Sequence, residues 1–430
     1  MDAKIRPLFE TALNERKLPG FGAVVVDSTG KHLLNQTVGK VNRDDTSSAD
    51  FTADTTMPLY SCTKLVTSIA ALQLVEQGKL SLSDSVEKYV PQISEIQLLE
   101  SITPAADGKA PEIKWSKPAS LPTVHQLLTH TAGFSYDFFH APTMQWRTST
   151  GRGPCLYHSV GAWEDFKTPF VAQPGSKYIY GVNTDWLGFV IEAVTGTRLP
   201  EHIDATVLKP LGMTNSGAFL DKDKTKPRLV THLRLNGVDL VANPSAVNTE
   251  TPETFGGGGF LYSTMNDYAK LLATLLNKGT SPTTGATILT PESVQKYLFT
   301  DQLGPDVDKS ALGEIPTAVP LLSSEGTFFP TLPIEKKGWS YGLLMNHEDL
   351  PAGRKKGSGA WAGLGNLYYW VDPVSGLAGM IVTSILPFMD PGLLYLFDQV
   401  ERVAYGHEVV PEKKGEGNHV GRPNVAPPKL

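Results

Sequence analysis

Cysteine is almost missing from this chain: two occur in 430 residues, Cys62 and Cys155. Two cysteines so far apart supply neither the paired spacing of a zinc site nor a disulfide framework, so a reducing, cytoplasmic setting is the simpler expectation. A surplus of one charge is lacking too. Lys and Arg number 38 against 44 Asp and Glu, a formal net charge of -6, which gives no support for nucleic-acid binding or for electrostatic attachment to an anionic membrane. No apolar run is long enough for a transmembrane span. The opening stretch MDAKIRPLFETALNERK has no apolar core of a signal peptide and alternates instead as an amphipathic helix, with Ile5, Leu8, Phe9 and Leu13 on one stripe. The last three residues, Pro428-Lys429-Leu430, only loosely match a peroxisomal address, because proline replaces its small first residue.

What remains is an ordinary globular composition, 40% hydrophobic and 19% charged, in a chain long enough for one large domain or two intimately packed ones. Such a chain folds without needing disulfides or metals. GFGAVVVDSTGKHLLNQTVG reads as two β-branched runs around an Asp-Ser-Thr-Gly turn, the pattern of a hairpin. PLYSCTKLVTSIAALQLVEQG follows as a helix apolar over most of its circumference, hence buried, and closed by Gly78. From about Leu80 to about Gly279 the segments read as mainly helical, with Pro- and Gly-rich connections. Strand signals return in WSYGLLMN, NLYYWVDP and LAGMIVTSIL, before a last helix through PGLLYLFDQVERVAYG. The expected class is α/β in the α+β sense: a central antiparallel sheet built from both chain ends and flanked by helices, with a mainly helical domain inserted. The expected divisions are 1–79 with 290–410, 80–289, and an extended or disordered tail over 411–430.

Three clusters carry candidate chemistry. Ser61-Cys62-Thr63-Lys64 stands at the start of the apolar helix, where residues three apart share a face and the Ser61 hydroxyl can meet the Lys64 amine. A serine hydroxyl needs a base, and lysine serves only when neutral, which burial favours. The four residues alone leave open a capping serine and a solvated lysine; the helix, too apolar for a surface one, favours chemistry. The second cluster, Tyr178-Ile179-Tyr180-Gly181-Val182-Asn183, is a short strand-like run that breaks at a glycine before a helix, so Tyr180 can project into a cleft. Packing tyrosines with wet hydroxyls are the alternative. The third, Gly357-Ser358-Gly359-Ala360-Trp361-Ala362-Gly363-Leu364-Gly365-Asn366, opens a strand whose glycines mark close approach of a ligand or backbone, or else a bulge.

Other signatures are missing. No Gly-x-Ser-x-Gly elbow occurs, and no His-Glu-x-x-His. The glycines at 256 to 259 lack the lysine and hydroxyl residue of a phosphate-binding loop. His130 reads as a loop anchor and Cys62 as packing.

In this order and spacing the clusters resemble the serine β-lactamase and penicillin-binding-protein superfamily, class C-like, in its esterase and transesterase branch. LLTHTAG at Leu127 to Gly133, FGGGGFLYST at Phe255 to Thr264 and GKLSLSDSVEKYVP add to the likeness. IYGVNTDW and WAGLGN are similar to segments of family VIII carboxylesterases and of fungal acyltransferases acting on polyketide esters. The resemblance implies a β-lactamase/transpeptidase-like fold, Ser61 as nucleophile, Lys64 as its proton acceptor, and Tyr180 sharing that role and protonating the leaving group. It implies an oxyanion hole from the N–H groups of Ser61 and Leu364, and no cofactor or metal. Tyr136, Trp361, Gly363 and Asn183 are the expected substrate-binding residues. Two departures matter: Trp361-Ala362-Gly363 stands where lactamases carry Lys-Thr-Gly, and Val182 takes an asparagine's place, with Asn183 one residue late. Both argue against antibiotic hydrolysis and for a less anionic, more apolar substrate. The expected activity is hydrolysis of a small-molecule ester or thioester; transfer of the acyl group to an alcohol, or a silent binding protein on the same fold, are the alternatives.

Overall fold

The computed structural model describes residues 1–103, 110–151, 160–218, 227–235, 239–243, 252–327 and 332–412. Cys155, the final tripeptide and all but the first two residues of the tail expected over 411–430 lie outside them.

The core is one seven-stranded sheet. Its strands are β1 (Phe21–Asp27), β2 (His32–Val38), β3 (Lys337–Trp339), β4 (Leu344–Asn346), β5 (Gly359–Gly363), β6 (Leu367–Asp372) and β7 (Leu377–Val382). They lie in the order β3-β4-β5-β6-β7-β1-β2, and every neighbouring pair is antiparallel. The N-terminal hairpin therefore completes a sheet begun by the last hundred residues, as the two-ended strand pattern requires. Register runs Gly22 to Val382 on one side of β1 and Gly22 to Thr37 on the other. The runs AVVV and LYYWV are buried throughout because both faces of the sheet are covered.

Five helices matter here: α1 (Asp2–Glu15), α2 (Thr63–Glu76), α3 (Asn183–Thr195), α4 (Met265–Leu276) and α5 (Pro391–Ala404). Neighbouring residues of β6 show which helices cover which face, since successive side chains point to opposite sides. Tyr369 meets Tyr268 of α4, and Trp370 meets Phe397 of α5. Helix α1 joins α5 on its side, burying Ile5, Phe9 and Ala12, with Phe9 against Phe21 of β1. Helix α2 has no polar face to offer water: every residue from Thr63 to Leu74 is buried, and it packs against α3.

Three local expectations change. WSYGLLMN is not one strand: Trp339 ends β3, the chain turns with Gly342 at φ +121, and Leu344–Asn346 is β4. LAGMIVTSIL leaves the sheet at Val382; Ile385–Leu386 turns away to pair in parallel with Thr231–Leu235. The run SKYIY is not a strand: Ser176 belongs to a turn, and among the described residues the run makes one isolated pairing, Lys177 with Asp308, while the Ile179 N–H donates to His130 O. The region 80–289 also carries antiparallel strand pairs, Leu98–Thr103 with Glu112–Ser116 among them. Helix α4, inside that span, lies on the sheet at β1 and β7.

Candidate active site

Ser61 sits in a single 3-10 turn, Tyr60–Cys62, that runs straight into α2. Tyr60 before it has φ +46, a left-handed conformation that costs a non-glycine residue energy and sharpens the entry to the helix. The turn is held from both sides: Leu59 N–H donates to Leu261 O at 2.9 Å, and Tyr268 Oη donates to Cys62 O at 3.0 Å. Strand β5 closes over it. A side chain at Gly363 would stand 2.6 Å from the Leu59 carbonyl, so only glycine lets the strand lie directly on the turn.

One turn into α2, Lys64 is buried at 1% exposure, and its position three residues on brings the amine back to the serine. Lys64 Nζ lies 3.1 Å from Ser61 Oγ, 2.9 Å from Tyr136 Oη and 2.8 Å from Gly258 O. Burial pushes its pKa down to about 8, against the upward pull of the Asp185 charge. An amine so placed is neutral in a minority of molecules near physiological pH and in most of them above its pKa, so the free-base form that a basic lysine needs is within reach.

Tyr180, from the segment before α3, lines the same cavity as Ser61, close enough for the serine to pull its pKa down, and receives the Trp361 indole N–H at 3.2 Å. Its ring stands 4.9 Å from Lys64 Nζ. Burial raises the phenol's pKa above its ordinary value, although Ser61 and Trp361 pull the other way. The phenol therefore keeps its proton and can both give and accept one. His130 packs beside Tyr180 with ring centroids 4.7 Å apart. Its burial and the Lys64 charge hold it neutral, and it accepts the Asn183 amide at 3.0 Å.

Above these groups opens a cavity of about 280 Å³. Ser61 and Tyr180 line it, together with Phe138, Phe139, Phe388, the β5 residues Trp361 to Gly363 and Leu364 just after them. Ala311, Leu312, Glu314, Ile315 and Pro316 line it as well. Of the expected substrate-binding residues, Trp361 and Gly363 line it and Leu364 joins them. Asn183 does not. It is fully buried, its amide turned to His130 and to the Ile179 carbonyl, because standing one residue late places it on the inner side of the first turn of α3. Tyr136 is likewise not among the residues lining the cavity: its hydroxyl accepts from Lys64 and, at 3.4 Å, donates to Asp185. Trp163 meets Trp186 and Phe189 edge to face, as Trp339 meets Trp361; both are packing residues. Cys62 is buried and its thiol pKa is pushed up by that burial, so it packs.

Sequence reasoning did not single out Asp185 or the Gly258 peptide. Asp185 is a wholly buried carboxylate in a helix whose first nine residues are all buried, and an acid in such a run was the available signal. The glycine run is explained by it: a Cβ on Gly256 would meet Asp185 Oδ1 at 2.2 Å. Among the described residues no group of three His, Cys, Asp or Glu side chains could hold a metal, and no helix is long and apolar enough to cross a membrane.

The buried amine also predicts a stability signature. Folded Lys64 titrates near 8 and a free lysine near 10.5, so between those values the unfolded chain binds more protons and stability rises with pH. Lys64→Met abolishes that rise. The stability of the variant relative to the parent is expected to fall by about 3 kcal/mol between pH 7 and pH 11, read from urea unfolding midpoints; a difference constant with pH would mean that the amine is not desolvated.

The Beta-lactamase family model matches residues 5–396. Lovastatin esterase of Penicillium rubens is 31% identical over 88% of this chain and 92% of its own length. Monacolin J acid methylbutanoyltransferase of Aspergillus terreus is 28% identical over 89% of this chain and 90% of its own. Among solved structures, a mutant of simvastatin synthase from Aspergillus terreus superposes with a TM-score of 0.79 at 25% identity, covering 94% of each chain. A penicillin-binding protein homologue from Pyrococcus abyssi, at 22% identity and a TM-score of 0.65 over 94% of this chain and 77% of its own, shares the fold. With a helix-borne serine, a buried lysine and a tyrosine meeting under a cavity, this chain belongs to the beta-lactamase family, as an enzyme of its serine ester-hydrolase and acyltransferase kind acting on small molecules.

Proposed function

We propose that Ser61 attacks the carbonyl carbon of a carboxylic ester or thioester while its proton passes to the neutral Lys64 amine. The negative charge that develops on the carbonyl oxygen is held by the N–H groups of Ser61 and Leu364, each such donor contributing about 3 kcal/mol. As the carbon–oxygen or carbon–sulfur bond breaks, the proton on Lys64 reaches the departing atom through the Tyr180 hydroxyl, and the acyl group stays on Ser61. Water then enters by the reverse proton path and releases the acid. The observation that carries this reading is that the Ser61 hydroxyl lies 3.1 Å from the Lys64 amine and shares its cavity with the Tyr180 phenol. A neutral, largely apolar acyl group suits the walls. Among the described residues one lysine lines the cavity, Lys177, and it is paired with Asp308 at 3.3 Å; Trp361-Ala362-Gly363 stands where lactamases carry Lys-Thr-Gly, without that motif's cation.

A second reading is favoured by a specific feature. Phe138, Phe139 and Phe388 offer a second alcohol an apolar bed beside the acyl-enzyme, and the A. terreus relative bears the name of a methylbutanoyltransferase. A time course with one activated ester, with and without added alcohols, separates the two. Acid as the main product at every alcohol concentration supports hydrolysis; a new ester that displaces it supports transfer, with an acceptor alcohol of a polyketide-like molecule as the natural partner. A burst of leaving group equal to the enzyme would rule out a silent binding protein.

A further inference from the structure

Four groups close a ring beneath the nucleophile. Lys64 Nζ donates to the Tyr136 hydroxyl at 2.9 Å and to the Gly258 carbonyl at 2.8 Å. On the far side, Tyr136 Oη donates to Asp185 Oδ2 at 3.4 Å and Gly258 N–H donates to Asp185 Oδ1 at 3.0 Å. Each of the two acceptors that hold the amine is thus itself held by one oxygen of the same carboxylate. The carboxylate is 0% exposed, and a side chain on Gly258 would approach it to 2.6 Å, so only glycine lets the loop lie this close to it.

We propose that Asp185 is the positioning residue of Lys64, fastening the Tyr136 hydroxyl and the Gly258 peptide so that the amine has one place to stand, against Ser61 Oγ. This rests on the reading of Lys64 as the base. Asp185 touches neither the cavity nor the serine, and its effect is exerted through the lysine. A lysine has four rotatable bonds, and without fixed acceptors its amine would be shared among several positions. The carboxylate also supplies the negative charge that opposes the cost of burying an ammonium at this spot. The other titratable groups facing the amine do not supply it: Cys62 and Tyr180 are held protonated by burial, and His130 is neutral.

The test is the pH dependence of the rate at which a fluorophosphonate labels the full chain, for the parent, Asp185→Asn and Tyr136→Phe. Asp185→Asn keeps the shape and can still accept the Gly258 N–H, but removes the charge. Its inflection is expected to move at least about one pH unit below the parent value, with a labelling rate at high pH reduced roughly tenfold. Tyr136→Phe leaves the charge and removes one acceptor of the ammonium, so its inflection also moves down, by less. The double variant should fall short of the sum, because both act on one ring. A lower rate with the parent inflection in both single variants would make Asp185 a packing residue and overturn the proposal. Should Asp185→Asn not fold, the inflection of Tyr136→Phe decides alone. An inflection that survives Lys64→Met overturns the reading of the base itself, and this proposal with it; one that vanishes there but is unmoved in the other variants overturns this proposal only.

Discussion

Ser61→Ala is expected to abolish labelling by a fluorophosphonate and to lower ester turnover by roughly 10⁴-fold or more, since removing the nucleophile of a serine enzyme leaves only binding and oxyanion stabilisation. No neighbour can take its place. Cys62 is adjacent in sequence, but its thiol is buried and held in the unreactive protonated form. Ser135 lines the same cavity, yet its hydroxyl is engaged with Thr143 at 2.8 Å. The fold should survive: Ser61 is only half-buried, and the turn that carries it is held by Leu59 and Cys62 backbone groups. Labelling that persists in Ser61→Ala at the parent rate would place the chemistry on another residue.

Lys64→Ala ranks next. A positioned general base contributes up to about 10⁴-fold, and here the same amine is both the only group bonded to Ser61 that titrates near neutrality and the carrier of the proton toward the leaving group. In the parent, the neutral fraction of an amine with a pKa of about 8 grows as pH rises, so acylation should climb through that value and level off above it. The variant is expected to be slow and to have lost the inflection. Lys64→Arg separates base chemistry from electrostatics: guanidinium keeps the charge but cannot become neutral. It should be as inactive as alanine. An active Lys64→Arg would mean that the charge, and not proton acceptance, is what the site uses.

Much of this architecture could be read along the chain because local patterns and global fold agree. The hairpin over Phe21 to Val38 has alternating β-branched residues around a turn, and the nucleophile helix announces its burial by having no polar side. The meeting of Ser61 with Lys64 was legible for a related reason, since a lysine in so apolar a helix has to be explained, whereas the role expected of Tyr180 came from the family resemblance. The pattern failed where a side chain's direction depends on elements remote in sequence. Tyr136 and Asn183 were expected to face the substrate. Whether a residue of a loop or a helix's first turn faces a cavity is set by what packs behind it, here Lys64 and His130. Strand continuity was misjudged at WSYGLLMN and LAGMIVTSIL, where apolar character persists through a tight turn and through a switch to another sheet, so composition does not mark the break. Asp185 was overlooked because its partners, Tyr136 and the Gly258 peptide, come from stretches 49 and 73 residues away.

The most direct measurement is the location of the trapped acyl group. Incubation with a slowly released ester, rapid acid quenching and tandem mass spectrometry of the digest should find one acyl mass per chain, on the side chain of Ser61. An adduct on any other residue, or turnover during which no adduct ever accumulates on that serine under conditions that give a burst, would contradict it.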